Sequence, residues 1–179
     1  VLSRYIYDAV GNPLRAWYSD GTPTVTYQYD DFFRMTQMQD GTGTSNYSYY
    51  ADDRLATVNG PWSNDTITYN YDLYGLRQDL NVENGQSIVY SYDTHARLST
   101  IQNSTGTFTY GYTPFSADPL VQSLIRPNSS RTTYQYNDPL KRLTRISNQT
   151  DSALLINQYD YLYEDSAHSD QRSQESIEN

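Results

Sequence analysis

The side chains able to do acid–base or metal chemistry are spread thinly along the 179 residues of this chain. The chain has two histidines, His95 and His168, and no cysteine, so a zinc site would need other partners than thiolates. Aspartates recur singly in similar surroundings, which favours turn closure over calcium binding or paired carboxylate catalysis. No serine stands in a Gly-x-Ser-x-Gly motif, and no phosphate-binding glycine loop is present. The sequence therefore predicts no enzyme, no metal and no cofactor.

Aromatic rings are the other candidates for function, because they can bind sugars by stacking. Four rings that lie outside the regular tyrosine pattern described below suit a glycan-binding face: Trp17, Phe32, Trp62 and Tyr74. The alternative is that these rings simply pack in loops and along sheet edges.

Tyrosine is unusually abundant, and its placement is periodic. Of the 20 tyrosines, sixteen fall in eight Tyr-x-Tyr pairs spaced 20–27 residues apart. An apolar residue often lies two positions before the pair, and mostly polar residues lie between. This period of two predicts a half-buried strand with one aromatic and one polar face. The pairs begin at Tyr5, Tyr27, Tyr47, Tyr69, Tyr90, Tyr110, Tyr134 and Tyr161.

Two turns complete each repeat. An acid or amide such as Asp30 follows the pair and begins a tight turn, after which Arg or Asn precedes a large apolar residue. A second apolar residue lies three positions later, as in Met35 and Met38, and this spacing predicts a bulge or strong twist. Asp-Gly or Asn-Gly, as at Asp20-Gly21, then marks a second hairpin turn.

The pattern predicts an all-β fold, a repetitive antiparallel ribbon of β-hairpins that is curved or spiral. About seven repeats of 20–27 residues cover residues 1–165, and residues 166–179 form an acidic polar tail that holds a truncated last repeat. A single repeat cannot bury its own aromatic face, so neighbouring repeats must cover it.

The charge balance excludes some partners. The formal net charge is −9, and the isoelectric point of the sequence is about 4.4, which argues against a nucleic-acid partner. No apolar run is long enough for a membrane-spanning helix, so the sequence predicts no membrane span.

The pattern Tyr-x-Tyr-Asp-x-x-Gly-Arg-Leu resembles the Rhs or YD-repeat family over about residues 5–165. The segments that carry it are YIYDAVGNPL, YQYDDFFRM, YNYDLYGL, YSYDTHARL and the looser YQYNDPLKRL. The resemblance implies a long β-ribbon that spirals into a hollow shell, as in bacterial Rhs polymorphic toxins, toxin-complex C components and teneurins. It also implies that the protein is secreted or lies at a cell surface. The self-cleavage site of bacterial members is not carried over, because neither Asp118-Pro119-Leu120 nor Asp138-Pro139-Leu140 continues into Gly-Leu.

These observations lead us to expect a structural, non-catalytic segment of a larger shell that encloses or displays a toxin or other cargo domain. Its partners would be further repeats of the same larger polypeptide and an enclosed toxin domain. The sequence begins and ends within repeats, which favours a longer chain. The alternative is an extracellular recognition module at a cell surface that binds a carbohydrate or a surface protein.

Overall fold

The computed structural model describes residues 1–113, 117–137, 139–163 and 172–178, the last range as backbone. Every regular element in these ranges is a β-strand, and within each unit described below neighbours along the chain pair antiparallel. The all-β hairpin fold predicted from the tyrosine pattern is therefore confirmed. The chain divides into two compact units, Val1–Ser87 and Ile88–Asn179.

The first unit is a meander of eight strands. Each strand pairs with the next through a short turn. The strands are β1 (Ser3–Tyr7), β2 (Pro13–Tyr18), β3 (Val25–Tyr29), β4 (Met35–Gln39), β5 (Thr44–Tyr49), β6 (Leu55–Asn59), β7 (Ile67–Tyr71) and β8 (Arg77–Val82).

The second unit repeats this arrangement, beginning with a strand whose first two residues belong to the first unit. Pairing is again sequential and antiparallel. The strands are β9 (Gln86–Tyr92), β10 (Leu98–Asn103), β11 (Gly106–Tyr112), β12 (Val121–Ile125), β13 (Arg131–Gln135), β14 (Arg145–Gln149), β15 (Leu155–Tyr163) and β16 (Arg172–Glu178).

Strand β16 lies within the segment that the sequence assigned to the acidic tail, and it pairs with β15. Residues 164–171, with His168 among them, lie outside the described residues, as does Asp138. The division into repeats over residues 1–165 and a tail over residues 166–179 stays a prediction.

Several strands that carry tyrosine pairs alternate in exposure, although every residue of β7 is half-buried. In β9, Ile88, Tyr90 and Tyr92 are half-buried, whereas Val89 and Ser91 are exposed. We call the two sides of such strands the aromatic face and the polar face. The period of two read from the sequence therefore describes strands such as β9 correctly.

Few side chains are fully covered. Among the described residues, those that are buried are Ala16, Thr132, Ser147 and Tyr161. Apolar contact comes instead from rows of half-buried residues across neighbouring strands, each pair contributing roughly 0.2–1 kcal/mol. One such row on the aromatic face of the first unit is Tyr47, Val58, Ile67 and Val82.

In most repeats, the strand that follows the tyrosine pair has a β-bulge near its first residue. Tyr29 pairs with Met35 and Gln28 pairs with Gln37, so Thr36 is an extra residue in β4. This confirms the bulge predicted from the spacing of three between apolar residues. The same shift occurs in the pairs β1–β2, β5–β6, β7–β8, β9–β10, β11–β12 and β15–β16.

The meander brings two kinds of turn to opposite edges of each unit. The turns that follow tyrosine pairs, such as the one joining β3 to β4, form what we call the YD edge. The turns that follow the bulged strands, such as the one joining β4 to β5, form the glycine edge, named after the Asp-Gly and Asn-Gly pairs of the first unit.

Candidate functional site

The aspartate of each well-formed repeat closes its turn. Asp30 Oδ1 accepts hydrogen bonds from the backbone N–H groups of Phe32 and Arg34, both at 2.9 Å. Its Oδ2 accepts from Arg34 Nε at 2.8 Å, so one carboxylate fixes both the turn and the arginine. The same backbone contacts, to residues two and four positions later, are made by Asp8, Asp72 and Asp93.

The third residue after this aspartate position has a left-handed backbone. Gly11 and Gly75 have φ of 95° and 83°, as the glycine in the repeat pattern predicts. Phe33, Asp53 and Ala96 occupy the same position with φ of 63°, 68° and 58°. The turn geometry is thus kept where the glycine is lost, at a cost in backbone strain.

A joint between consecutive repeats is formed at the second tyrosine of most pairs. The hydroxyl of Tyr49 donates a hydrogen bond of 2.8 Å to the carbonyl oxygen of Met35 in the preceding repeat. The guanidinium carbon of Arg34, also from that repeat, lies 4.8 Å from the centroid of the Tyr49 ring. We call this arrangement the Tyr–Arg joint.

The joint recurs along both units. Arginine covers the ring of the following repeat in three further cases, Arg54 on Tyr71, Arg97 on Tyr112 and Arg142 on Tyr163, at 4.6, 4.4 and 4.3 Å. The hydroxyl bond to the residue that follows the arginine position recurs from Tyr29 to Pro13, Tyr71 to Leu55, Tyr112 to Leu98, Tyr136 to Val121 and Tyr163 to Leu143.

Burial helps to keep the hydroxyl protonated in four of these tyrosines. Burial raises the pKa of the phenol in Tyr29, Tyr49, Tyr112 and Tyr136 above its ordinary value of 10.0. A protonated phenol can donate to a carbonyl, whereas a phenolate cannot. The joint therefore persists across the neutral range.

Charged groups extend the joint along the YD edge of the second unit. Arg97 Nε donates to Asp93 Oδ2 at 2.7 Å, and its Nη1 donates to the carbonyl of Asp118 at 2.8 Å. The Asp118 carboxylate in turn meets Lys141 Nζ at 2.5 Å. Partial burial acts to raise the pKa of Asp93, but hydrogen bonds from the Arg97 side chain and from the backbone of Arg97 and His95 outweigh it and lower the pKa to about 2.

Two repeats show how the joint tolerates variation. In one, the order is Leu76-Arg77, and the Arg77 guanidinium lies 5.1 Å from the ring of Tyr69 in its own repeat. In another, Tyr50 replaces the usual aspartate, and Asp52 binds Arg54 instead at 2.5 Å. The ion pair between arginine and a carboxylate is thus kept, with the carboxylate supplied two positions later in the turn.

The glycine edge has its own close packing between neighbouring turns. A methyl group added at Gly43 would lie 2.6 Å from Pro61 Cβ, and one added at Gly41 would lie 2.6 Å from Pro23 Cγ. Gly106 of the second unit stands in the same relation to Pro127, at 2.7 Å. Glycine at these positions lets neighbouring turns pack closely against each other. Close packing is thus a second reason for glycine here, besides the geometry of the hairpin turn.

The four rings predicted to contact glycans lie in different parts of the first unit. Phe32 and Tyr74 are in turns of the YD edge, 74% and 89% exposed. Trp62, 68% exposed, is in the β6–β7 connection at the glycine edge, and Trp17 is in β2 on the polar face, 46% exposed. The topology thus brings Phe32 and Tyr74 to one edge and Trp62 to the other.

The remaining chemistry of the described ranges is modest. Those ranges contain no cluster of three or more metal-binding side chains, and no helix long and apolar enough to cross a membrane. Open clefts of about 390, 460 and 310 Å³ lie on the second unit. Their linings mix amide, hydroxyl, charged and apolar side chains, and Gln135 borders two of them.

Comparisons with known proteins agree with the tyrosine pattern. Residues 7–45 match the RHS repeat family model. A Tc holotoxin pore of Photorhabdus luminescens is similar in structure, with a TM-score of 0.68 and 15% identity over 89% of this chain. TcdB2–TccC3 without its hypervariable C-terminal region matches 90% of this chain at 14% identity, with a TM-score of 0.49. This chain spans 9% and 12% of those two chains, and no curated protein matches its sequence at a significant level.

Proposed function

We propose that this chain is a structural, non-catalytic segment of the wall of a larger shell, which encloses or displays a toxin or other cargo domain. The match of residues 7–45 to the RHS repeat family model and the likeness in fold to the Tc holotoxin pore support this proposal. The observation that carries this proposal is the recurring Tyr–Arg joint. In six described cases a carbonyl of one repeat binds the second tyrosine of the next, and in four of them an arginine of the first repeat also covers that ring, so the sheet can extend by adding repeats.

The low burial supports the same role. Half-buried rows such as Tyr47, Val58 and Ile67 leave much aromatic surface in contact with solvent in the described chain. Further repeats and an enclosed domain would cover such surface in a complete wall. The partners we propose are therefore further repeats of the same polypeptide and an enclosed toxin domain, in a secreted protein.

The test is the intact mass of the native polypeptide in its source, followed by electron microscopy of the purified protein. A mass several-fold above 20.6 kDa together with hollow particles would support the wall. A native mass near 20.6 kDa would contradict it. Limited proteolysis of the larger protein would then show whether a domain outside the repeats is protected while the shell is intact.

A second candidate function rests on the exposed rings. Tyr74 and Phe32 protrude at the YD edge, and Trp62 protrudes at the glycine edge. We propose glycan or surface-protein recognition at a cell surface as the alternative role. Binding to a glycan array should fall in Trp17→Ala/Trp62→Ala or in Phe32→Ala/Tyr74→Ala, and unchanged binding in both double variants would contradict this role.

A further inference from the structure

One row of side chains on the aromatic face changes from apolar to polar in the second unit. The apolar row of the first unit, from Tyr47 to Val82, has a counterpart that begins with Tyr110 and Leu124. Across the next three strands this counterpart continues with polar residues, which are Thr132, Asn148 and Asn157. Hydrogen-bonding groups thus stand where the first unit packs methyl groups.

The three polar side chains form one network with Arg126, at the end of β12. Thr132 is 3% exposed, and its hydroxyl donates to Asn148 Oδ1 at 2.6 Å. Asn148 Nδ2 in turn donates to Asn157 Oδ1 at 2.7 Å. At the other end, Arg126 Nη2 donates to Thr132 Oγ1 at 2.7 Å. The network therefore joins a guanidinium to an amide through a buried hydroxyl.

The charge of Arg126 is not balanced by a carboxylate in the described ranges. Its half-buried guanidinium makes the single hydrogen bond to Thr132 and no ion pair there, whereas Arg97 is bound to Asp93. The turn that Arg126 begins is closed by Asn128, so the arginine is not needed for turn closure. A cation partly withdrawn from water favours an anionic partner.

The amide at the far end of the network also has unused donors. Asn157 is half-buried, and its Nδ2 finds no acceptor among the described residues. Asn157 and Thr132 are separated by two strand spacings, which is about 10 Å. The network thus presents a cationic donor and a neutral donor at two separate points.

We propose that Arg126 and Asn157 are the two ends of a binding site for an acidic saccharide. A sugar carboxylate accepts two hydrogen bonds from the guanidinium N–H groups that Thr132 does not use. The Asn157 amide donates to a hydroxyl or ring oxygen of a neighbouring sugar. The site lies in the second unit, apart from the four aromatic rings of the first, and it goes beyond the proposed wall function.

A saccharide fits this surface better than an extended peptide does. Strands β13 and β14 are paired on both sides, so their backbone groups are not available to bind another strand. Recognition must therefore use side chains, and amides that both donate and accept suit sugar hydroxyls. The separation of the two ends also suits linked sugar rings rather than a small carboxylic acid.

The experiment titrates the 179-residue chain with tetragalacturonate and measures the dissociation constant by calorimetry. Arg126→Gln should weaken binding at least about tenfold, as expected when a hydrogen-bonded charge is lost. Arg131→Gln is the matched control, because Arg131 is exposed and, as the neighbour of Thr132, lies on the opposite face of β13. Its dissociation constant should stay within about twofold, since the same change in net charge is then made away from the site.

Three further arms test the ligand and the other end of the site. The methyl ester of tetragalacturonate lacks the carboxylate charge, so its binding should be weak and insensitive to Arg126→Gln. Acetate should bind far more weakly than tetragalacturonate, because it cannot reach Asn157. Asn157→Asp places a carboxylate at the far end and should weaken tetragalacturonate binding. This variant keeps the test decisive if circular dichroism shows that Arg126→Gln does not fold.

Several results would overturn the proposal. They are absence of tetragalacturonate binding to the native chain, equal effects of Arg126→Gln and Arg131→Gln, unchanged binding in Asn157→Asp, and acetate or the methyl ester binding as tightly as tetragalacturonate. None of these results depends on the native mass of the polypeptide, so the saccharide site and the wall can fail separately.

Discussion

At the scale of single residues, the hydroxyl of the second tyrosine holds one repeat to the next. We expect Tyr49→Phe to lower the free energy of unfolding by about 1 kcal/mol, because the bond to the Met35 carbonyl is lost while the ring stays. Tyr74→Phe is the matched control, since Tyr74 is 89% exposed in a turn. Urea unfolding measures both variants, and equal losses would contradict the joint.

The third residue after the turn aspartate, which has a left-handed backbone, can be changed either to gain or to lose stability. Ala96, with φ of 58°, carries a Cβ that this conformation disfavours, so we expect Ala96→Gly to stabilise the chain by about 0.5–1 kcal/mol. Gly75→Ala should destabilise it by about 1 kcal/mol or more, because φ is 83° and the new methyl group would lie 3.3 Å from Arg54 Nη1.

Thermal and urea unfolding of the Ala96 and Gly75 variants, side by side, check this expectation. Loss of stability in Ala96→Gly would show that the flexibility glycine adds to the unfolded chain outweighs the relieved strain.

At the scale of elements, the glycine edge separates backbone strain from close packing. We expect Gly41→Ala to destabilise through its contact with Pro23, since Gly41 lacks a left-handed φ. Gly85→Ala should destabilise through backbone strain, because φ is 92° and nothing lies within 4 Å of the added methyl group. Each variant is combined with Pro23→Ala in a double-mutant cycle. The changes in free energy of unfolding should be non-additive for Gly41→Ala with Pro23→Ala and additive for Gly85→Ala with Pro23→Ala.

The arginine–aspartate pair of a YD turn should make stability depend on acid pH. The pKa of Asp93 is about 2 in the folded chain against an ordinary 3.8, so in the window between these values the unfolded chain binds more protons. The ionised Asp93 carboxylate therefore makes its full contribution to the free energy of unfolding above about pH 5. That contribution is lost as the pH falls from 4 towards 2.

Asp93→Asn should make the chain less stable at neutral pH and should flatten this fall. Asp31→Asn is the control, because it removes the same charge from an exposed turn carboxylate that has no ion-pair partner in the described residues. Unfolding midpoints measured from pH 6 to pH 2 compare the three chains. Parallel curves for the native chain and Asp93→Asn would contradict the assignment.

Elements that depend on local pattern could be predicted from the sequence. The period of two around Tyr90 and Tyr92 predicted strands with one half-buried face, and the spacing of Met35 and Met38 predicted the bulge at Thr36. The aspartate after the pair was interpreted as a turn closer, and Asp30 makes those bonds. These features need only residues close together in the chain.

Contacts between repeats could not be predicted in this way. Arg34 was noted as part of the pattern, but its position over Tyr49 depends on how two hairpins are registered, which a shift of one residue would reverse. The approach of Gly43 to Pro61 likewise joins two turns that the sequence shows only as separate hairpin signals. The regular spacing of Arg and Tyr was the available signal for the joint.

At the scale of the whole molecule, the exposed edge of β1 makes association between copies the expected behaviour of the isolated chain. Ile6 is 50% exposed in this strand, and lysine on an edge strand opposes pairing with another strand. We expect sedimentation velocity to show concentration-dependent association of the native chain, and Ile6→Lys to reduce it. Leu73→Lys makes a similar exchange at a turn residue that is fully exposed, at 101%, and should leave association unchanged.

The two lysine variants distinguish strand pairing from general apolar attraction. Both add the same charge to a chain of net charge −9, so a simple change in net charge would affect them alike. Selective loss of association in Ile6→Lys, with circular dichroism still typical of β-structure, would place the contact at the β1 edge. A native chain that stays monomeric at all concentrations would contradict the expectation, because an accessible apolar edge would then not suffice for pairing.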